Sequence, residues 1–100
     1  MTISRSNAGR VAAIGKALAH PMRVEILDGV GRMGRASPAD LSRLGIATCS
    51  HVNYHMLELA KAGAVREKST RPVRGATQHF YTLTPLGRLV VGLIADLPDE

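Results

Sequence analysis

Apolar residues recur along this chain at helical spacing in its first two thirds and again at its end, with a polar, basic stretch between. Val11, Ile14 and Leu18, separated mostly by alanines, predict a helix over residues 8–19, and the polar residues 1–7 are expected to be disordered. His20-Pro21 interrupts this helix. Proline suits a helix's first turn, so Pro21 opens the next one, with Val24, Ile26, Leu27 and Val30 as its apolar residues and the run Gly29, Gly31, Gly34 as its end. Ser37-Pro38-Ala39-Asp40 is a strong start signal. Ser37 can cap free backbone N–H groups, Pro38 fits the first turn, and Asp40 can reach back to the Ser37 N–H. A short third helix to Leu44 follows, with a sharp exit at Gly45. Thr48 or Cys49 begins a fourth helix that runs to Ala62 and stops at Gly63 in a left-handed cap. Val65–Lys68 and His79–Leu83 are short strands, with Ser69–Thr77 as the hairpin loop. Thr84-Pro85 repeats the cap-plus-proline signal, and Leu86, Leu89, Val90, Leu93, Ile94 and Leu97 mark an amphipathic helix ended by Pro98.

This order predicts one domain over residues 1–100, mainly α with a small β-hairpin: about five helices plus a two-stranded wing, a winged helix-turn-helix. Such an arrangement can set its fourth helix in a DNA major groove and rest the hairpin on the neighbouring backbone. On that helix Val52, Met56 and Leu59 should pack inward. Thr48, Ser50, His51, Asn53 and Tyr54 then form a polar start facing outward, with Leu57 beyond them. Asparagine can bind adenine bidentately, so Asn53 is the candidate base reader, and Ser, His and Tyr can reach phosphate or base edges. In the hairpin, Arg66, Lys68, Arg71 and Arg74 are candidate phosphate contacts, because a loop with almost no apolar residues gains little from packing.

Charge sharpens this picture. The net charge is +5, and Lys61, Arg66, Lys68, Arg71 and Arg74 stand against Glu67 alone between residues 61 and 78. Asp96, Asp99 and Glu100 make the end acidic. A basic middle favours a polyanionic partner. With no Trp, one Phe and two Tyr, the core must be aliphatic, which favours packed helices. The absence of a secretion signal or a long apolar run, and a single cysteine, lead us to expect a cytoplasmic protein without a disulfide or membrane partner. Paired carboxylates, a Ser/His/Asp spacing, a phosphate-cradling glycine loop and a nucleotide fingerprint are all missing from the pattern, so neither an enzyme nor a cofactor is expected. Two alternatives use the same residues. One is a winged-helix module that binds protein. The other is a thiol- or metal-responsive sensor built on Cys49, His51 and His55, where His51 and His55 have the i, i+4 spacing of a metal pair.

Leu18-Ala19-His20-Pro21-Met22-Arg23-Val24-Glu25-Ile26-Leu27 resembles the "L-x-x-P-x-R-L-x-I-L" opening of ArsR-type winged helix-turn-helix repressors. Val52 through Val65 resembles that family's "V-S-H-H-L-x-x-L-x-x-A-G-L-V", and Phe80-Tyr81-Thr82-Leu83-Thr84-Pro85-Leu86-Gly87 is similar to the wing-to-helix junction of MarR- and PadR-type regulators. The resemblance spans residues 17–83. It implies a homodimeric transcriptional regulator on a palindromic double-stranded operator, dimerising through its first and last helices (residues 8–19 and 85–97). The expected interface residues are Val11, Ile14, Leu18, Leu86, Leu89, Val90, Leu93, Ile94 and Leu97. The departures bear on sensing. Metal-sensing members carry cysteines on the helix matching Pro38–Leu44, or Asp and His pairs on the last helix. This chain has no cysteine in the first and only Asp96 in the second, so metal sensing does not carry over. Gly45-Ile46 falls one residue early relative to Val52, and Tyr54 stands where the first His of the family's pair is common, so the operator sequence does not carry over. The resemblance names no effector.

Overall fold

The computed structural model describes residues 2–98; Met1, Asp99 and Glu100, and with them two of the tail's acids, lie outside the described residues. Five helices and one antiparallel hairpin follow in the order α1 (Arg5–Ala17), α2 (Pro21–Met33), α3 (Pro38–Arg43), α4 (Cys49–Lys61), β1 (Val65–Val73), β2 (Ala76–Leu83) and α5 (Pro85–Ala95). This is the expected winged helix-turn-helix.

Local chemistry accounts for the helix starts. The Ser37 hydroxyl accepts the Asp40 N–H at 3.1 Å, and the Asp40 carboxylate accepts the Ser37 N–H at 3.0 Å, a complete capping box. The partial burial of Asp40 would raise its pKa, but the Ser37 N–H and the Arg43 guanidinium together hold the carboxyl below its usual range. Thr48 caps α4 and Thr84 caps α5 through their hydroxyls, each accepting a backbone N–H three residues on. The core lies where α2, α3 and α4 meet. Ile26, Leu27 and Val30 from α2, Leu41 from α3, and Val52, Met56 and Leu59 from α4 are fully buried, as the inward face of α4 required. Ala36 pairs with Tyr81 through two backbone hydrogen bonds of 2.9 and 2.8 Å, so the segment before α3 is stitched to the sheet.

Three elements differ from the sequence reading. Helix α1 begins at Arg5, inside the stretch expected to be disordered, because the Ser4 hydroxyl accepts the Asn7 N–H at 3.1 Å and caps it. Helix α2 runs through Gly29 and Gly31 and stops at Gly34. The first two glycines are packing positions, not breaks: a Cβ on Gly29 would lie 2.7 Å from Leu41 Cδ2, and one on Gly31 would lie 3.2 Å from Leu83 Cδ1. The hairpin is much longer than expected. Its strands reach Val73 and Ala76, joined by Arg74 (φ 49°) and Gly75 (φ 80°). Two successive positive φ angles are what a type I′ turn requires, and its twist matches that of the strands. Most of the predicted loop is therefore paired strand, and the register slips once, at Lys68.

Helix α5 shows two apolar rows. Leu86, Val90 and Val91 are half-buried against the core and Ile94 is half-buried, whereas Leu89, Leu93 and Leu97 remain about 68–69% exposed. Among the described residues no helix is long and apolar enough to cross a membrane.

Candidate nucleic-acid interface

Helix α4 presents three sides. Val52, Met56 and Leu59 face the core. Ser50, Tyr54 and Leu57 point away from it, Tyr54 being 56% and Leu57 45% exposed. Asn53 and Cys49 turn toward the wing, where they line a cleft of about 330 Å³ with Pro38, Arg43, Gln78 and His79. The candidate base reader Asn53 is thus exposed beside the wing, while Tyr54 leans the other way, packing edge-on against His55 at 5.2 Å between ring centroids. Thr48 and His51 are exposed at the start of the helix, with the Thr48 hydroxyl also serving as its cap.

The structure divides the four basic wing residues. Arg66, Lys68 and Arg74 are exposed and belong to none of the salt bridges among the described residues. Arg71 is engaged within the protein: its Nη2 donates to Gln78 Oε1 at 3.2 Å, and its guanidinium lies 5.7 Å from the Phe80 ring centroid. Gln78 in turn donates to the Ser37 hydroxyl at 2.7 Å. A hydrogen-bonded chain therefore runs from the wing through Gln78 and the α3 capping box to Asp40 and Arg43, fixing the wing against the helix-turn-helix. Across the hairpin, the Glu67 carboxylate meets the His79 imidazole at Nδ1.

Sequence reasoning missed Arg35, Arg43 and Gln78. Arg35 stacks on Phe80 at 4.6 Å and donates to the Ser69 hydroxyl at 3.2 Å, adding a cation at the wing's base. Arg43 stands at the cleft wall, paired with Asp40 at 2.8 Å. Extending β2 back to Ala76 would have placed Gln78 and Phe80 on one face, and with them Arg71 across the ladder; no pattern in the sequence marks Arg35.

The proposed sensor residues do not converge. Cys49 is exposed on the wing side of α4, whereas His55 lies on the side toward the α1–α2 junction, its ring 6.0 Å from that of His20. His55 Nδ1 accepts the Arg23 Nε–H at 3.0 Å, which occupies one of its two ligand nitrogens. Among the described residues no three His, Cys, Asp or Glu side chains are placed to hold a metal. Burial, then the nearby Arg23, His20 and His51, hold the His55 imidazole below its ordinary value of 6.5, with Glu58 opposing. A histidine depressed in this way stabilises the fold fully above the unfolded value and less as pH falls through the folded one. We therefore expect the urea midpoint to drop between pH 7 and pH 5.5, and to drop less in His55→Gln, whose amide oxygen can still accept from Arg23. Equal losses in both proteins would show that His55 is not responsible.

Core, helix caps, paired wing and exposed α4 together define a winged helix-turn-helix. Solved structures share it. HlyU from Vibrio cholerae N16961 is 24% identical, with 91% of this chain and 94% of that chain covered and a TM-score of 0.71. The antimony-specific transcriptional repressor AntR is 21% identical over 95% of this chain and 82% of its own, with a TM-score of 0.73. The homodimeric winged helix-turn-helix DNA-binding domain of Mb0332 from Mycobacterium bovis, described as a possible ArsR-family transcriptional regulator, is 20% identical over 95% of this chain and 86% of its own, with a TM-score of 0.71. No protein-family model matches the sequence, and no curated protein matches it.

Proposed function

We propose that the protein is a transcriptional regulator that binds a palindromic double-stranded DNA site as a homodimer and represses by occluding a promoter. The observation that carries this reading is the exposed polar start of α4 beside a wing whose Arg66, Lys68 and Arg74 have no acidic partner among the described residues. Helix α4 enters the major groove, Asn53 reads a base edge, and the free wing cations contact phosphate. Arg71 acts mainly by bracing the wing. The exposed Leu89, Leu93 and Leu97, with Val11 of α1, form the dimer contact; Ile14 is used within the protomer's own core and Leu18 is half-buried. The homodimeric state of the Mb0332 domain supports this part of the reading. In a dimer of this kind the two recognition helices lie about 34 Å apart, one turn of DNA.

The test is fluorescence-anisotropy binding to the DNA upstream of the protein's own gene, against random DNA, across a salt series. Tight binding that prefers the upstream fragment and weakens steeply with salt is expected. Asn53→Ala should lose about 1–3 kcal/mol of discrimination while leaving random-DNA affinity unchanged. Equal loss on both DNAs would remove Asn53 from base reading. No salt-sensitive binding to either DNA would move the fold to a protein partner.

A further inference from the structure

A second cleft, of about 410 Å³, opens on the other side of α4 from the wing, where α1 ends and α2 begins. Its walls include Lys16 of α1, His20 at the junction, Arg23 of α2, and Tyr54, Glu58 and Lys61 of α4. That size lies within the range of small-ligand sites.

The charge arrangement is unusual. Arg23 is only 7% exposed, yet it enters no ion pair with a carboxylate among the described residues. Its partners are neutral acceptors. Nε donates to His55 Nδ1 at 3.0 Å, Nη1 donates to the Ala17 carbonyl at 3.3 Å, and the Tyr54 ring centroid lies 5.9 Å from its central carbon. Nη2 takes part in neither bond. The carboxylate in the cleft wall, Glu58, is paired with Lys61 at 3.7 Å. Lys16 adds a third cation. Burying a cation without a counter-charge costs several kcal/mol, and a structural role would be served as well by a neutral side chain. The two bonds to His55 and Ala17 instead hold the guanidinium fork in one orientation beside a cleft with excess positive charge, the arrangement that recognises planar or tetrahedral oxyanions.

We propose that this cleft is an oxyanion site, taking a carboxylate or phosphate group between α1, α2 and α4 with Arg23, Lys16 and Lys61 as its cations. Tyr54, Glu58 and Lys61 belong to the recognition helix, so occupancy is linked to the surface that faces DNA. Two sources can supply the group: a free small anion acting as an effector, or a backbone phosphate of bound DNA flanking the groove. The second rests on the DNA-binding reading; the first does not.

The experiment uses the full chain and inorganic phosphate as the probe. Thermal unfolding is followed in phosphate and in chloride at equal ionic strength, for the wild type, for Lys16→Gln/Lys61→Gln, and for a control that removes two charges elsewhere on α1, Arg5→Gln/Arg10→Gln. All four positions are exposed, so folding is not at stake. A phosphate-specific rise in melting temperature, kept in the control and lost in the cleft variant, establishes a free-anion site, whatever the protein does with DNA. If phosphate has no effect, the salt series on random DNA decides. A log–log slope shallower by about 0.9 for each lost contact in the cleft variant, with the control unchanged, assigns the site to backbone phosphate. Equal behaviour of the two variants in both measurements overturns the proposal.

Discussion

Leu93→Asp is expected to dissociate the proposed homodimer to a monomer in sedimentation and to lower affinity for the proposed upstream site by about 10²–10⁴-fold, since paired recognition helices bind with an effective concentration that a lone helix lacks. Leu93 is 69% exposed in the protomer, and Leu89 and Leu97, one turn to either side, are 68% exposed. These side chains contribute little to the protomer's core, so aspartate there leaves the single chain folded. In a two-fold interface the same residue is presented by both copies, and each substitution counts twice. A carboxylate forced into an apolar contact without a partner costs several kcal/mol. The far-UV spectrum should therefore be unchanged while mass and affinity fall. A dimer mass kept by the variant would place the contact elsewhere, and a wild type that already sediments as a monomer would overturn the proposed dimer.

Gly87→Ala is expected to lower the melting temperature by roughly 10 °C or more. Two effects oppose each other. Alanine in a helix gains about 0.5–1 kcal/mol over glycine. At Gly87, however, the added Cβ would fall inside the van der Waals shell of the Ala64 carbonyl oxygen, with the Ala64 carbonyl carbon at 3.1 Å. That carbonyl cannot easily retreat: it accepts the Thr84 N–H at 3.1 Å, and the Ala64 N–H is bound to the Leu59 carbonyl at 3.0 Å. Overpacking against side chains costs about 1–3 kcal/mol, and fixed backbone lies at or above the top of that range. The clash wins by roughly 2 kcal/mol, and each kcal/mol is worth about 4–8 °C in a domain this small. Gly92→Ala on the same helix is the control. A Cβ there meets nothing within 4 Å, so the propensity gain stands alone and the melting temperature should rise slightly. Equal midpoints for Gly87→Ala and wild type would mean that α5 shifts freely on the sheet.

Much of the architecture was legible from residues close together in the chain. Ser37-Pro38-Ala39-Asp40 and Thr84-Pro85 announce helices because capping is a contact between neighbours, and the inward face of α4 follows from the spacing of Val52, Met56 and Leu59. The polar start of α4 and the basic character of the wing were equally readable, being properties of composition. The tertiary structure alone decided the rest. The wing's outer strands are held by backbone pairing rather than by an apolar face, so no alternation marked them, and Pro72 looked like a loop residue although it sits at the edge of the two-stranded ladder. Gly29 and Gly31 read as breaks because the side chains that need their space, Leu41 and Leu83, come from other elements. The stripe on α5 read as a single surface, and only its packing showed that half of it is satisfied within the protomer. Arg23 and His55 lie 32 residues apart, and no local rule could pair them. Capping and periodicity act between neighbours in sequence and are written there; pairing, close approach and charge compensation depend on which distant segments meet.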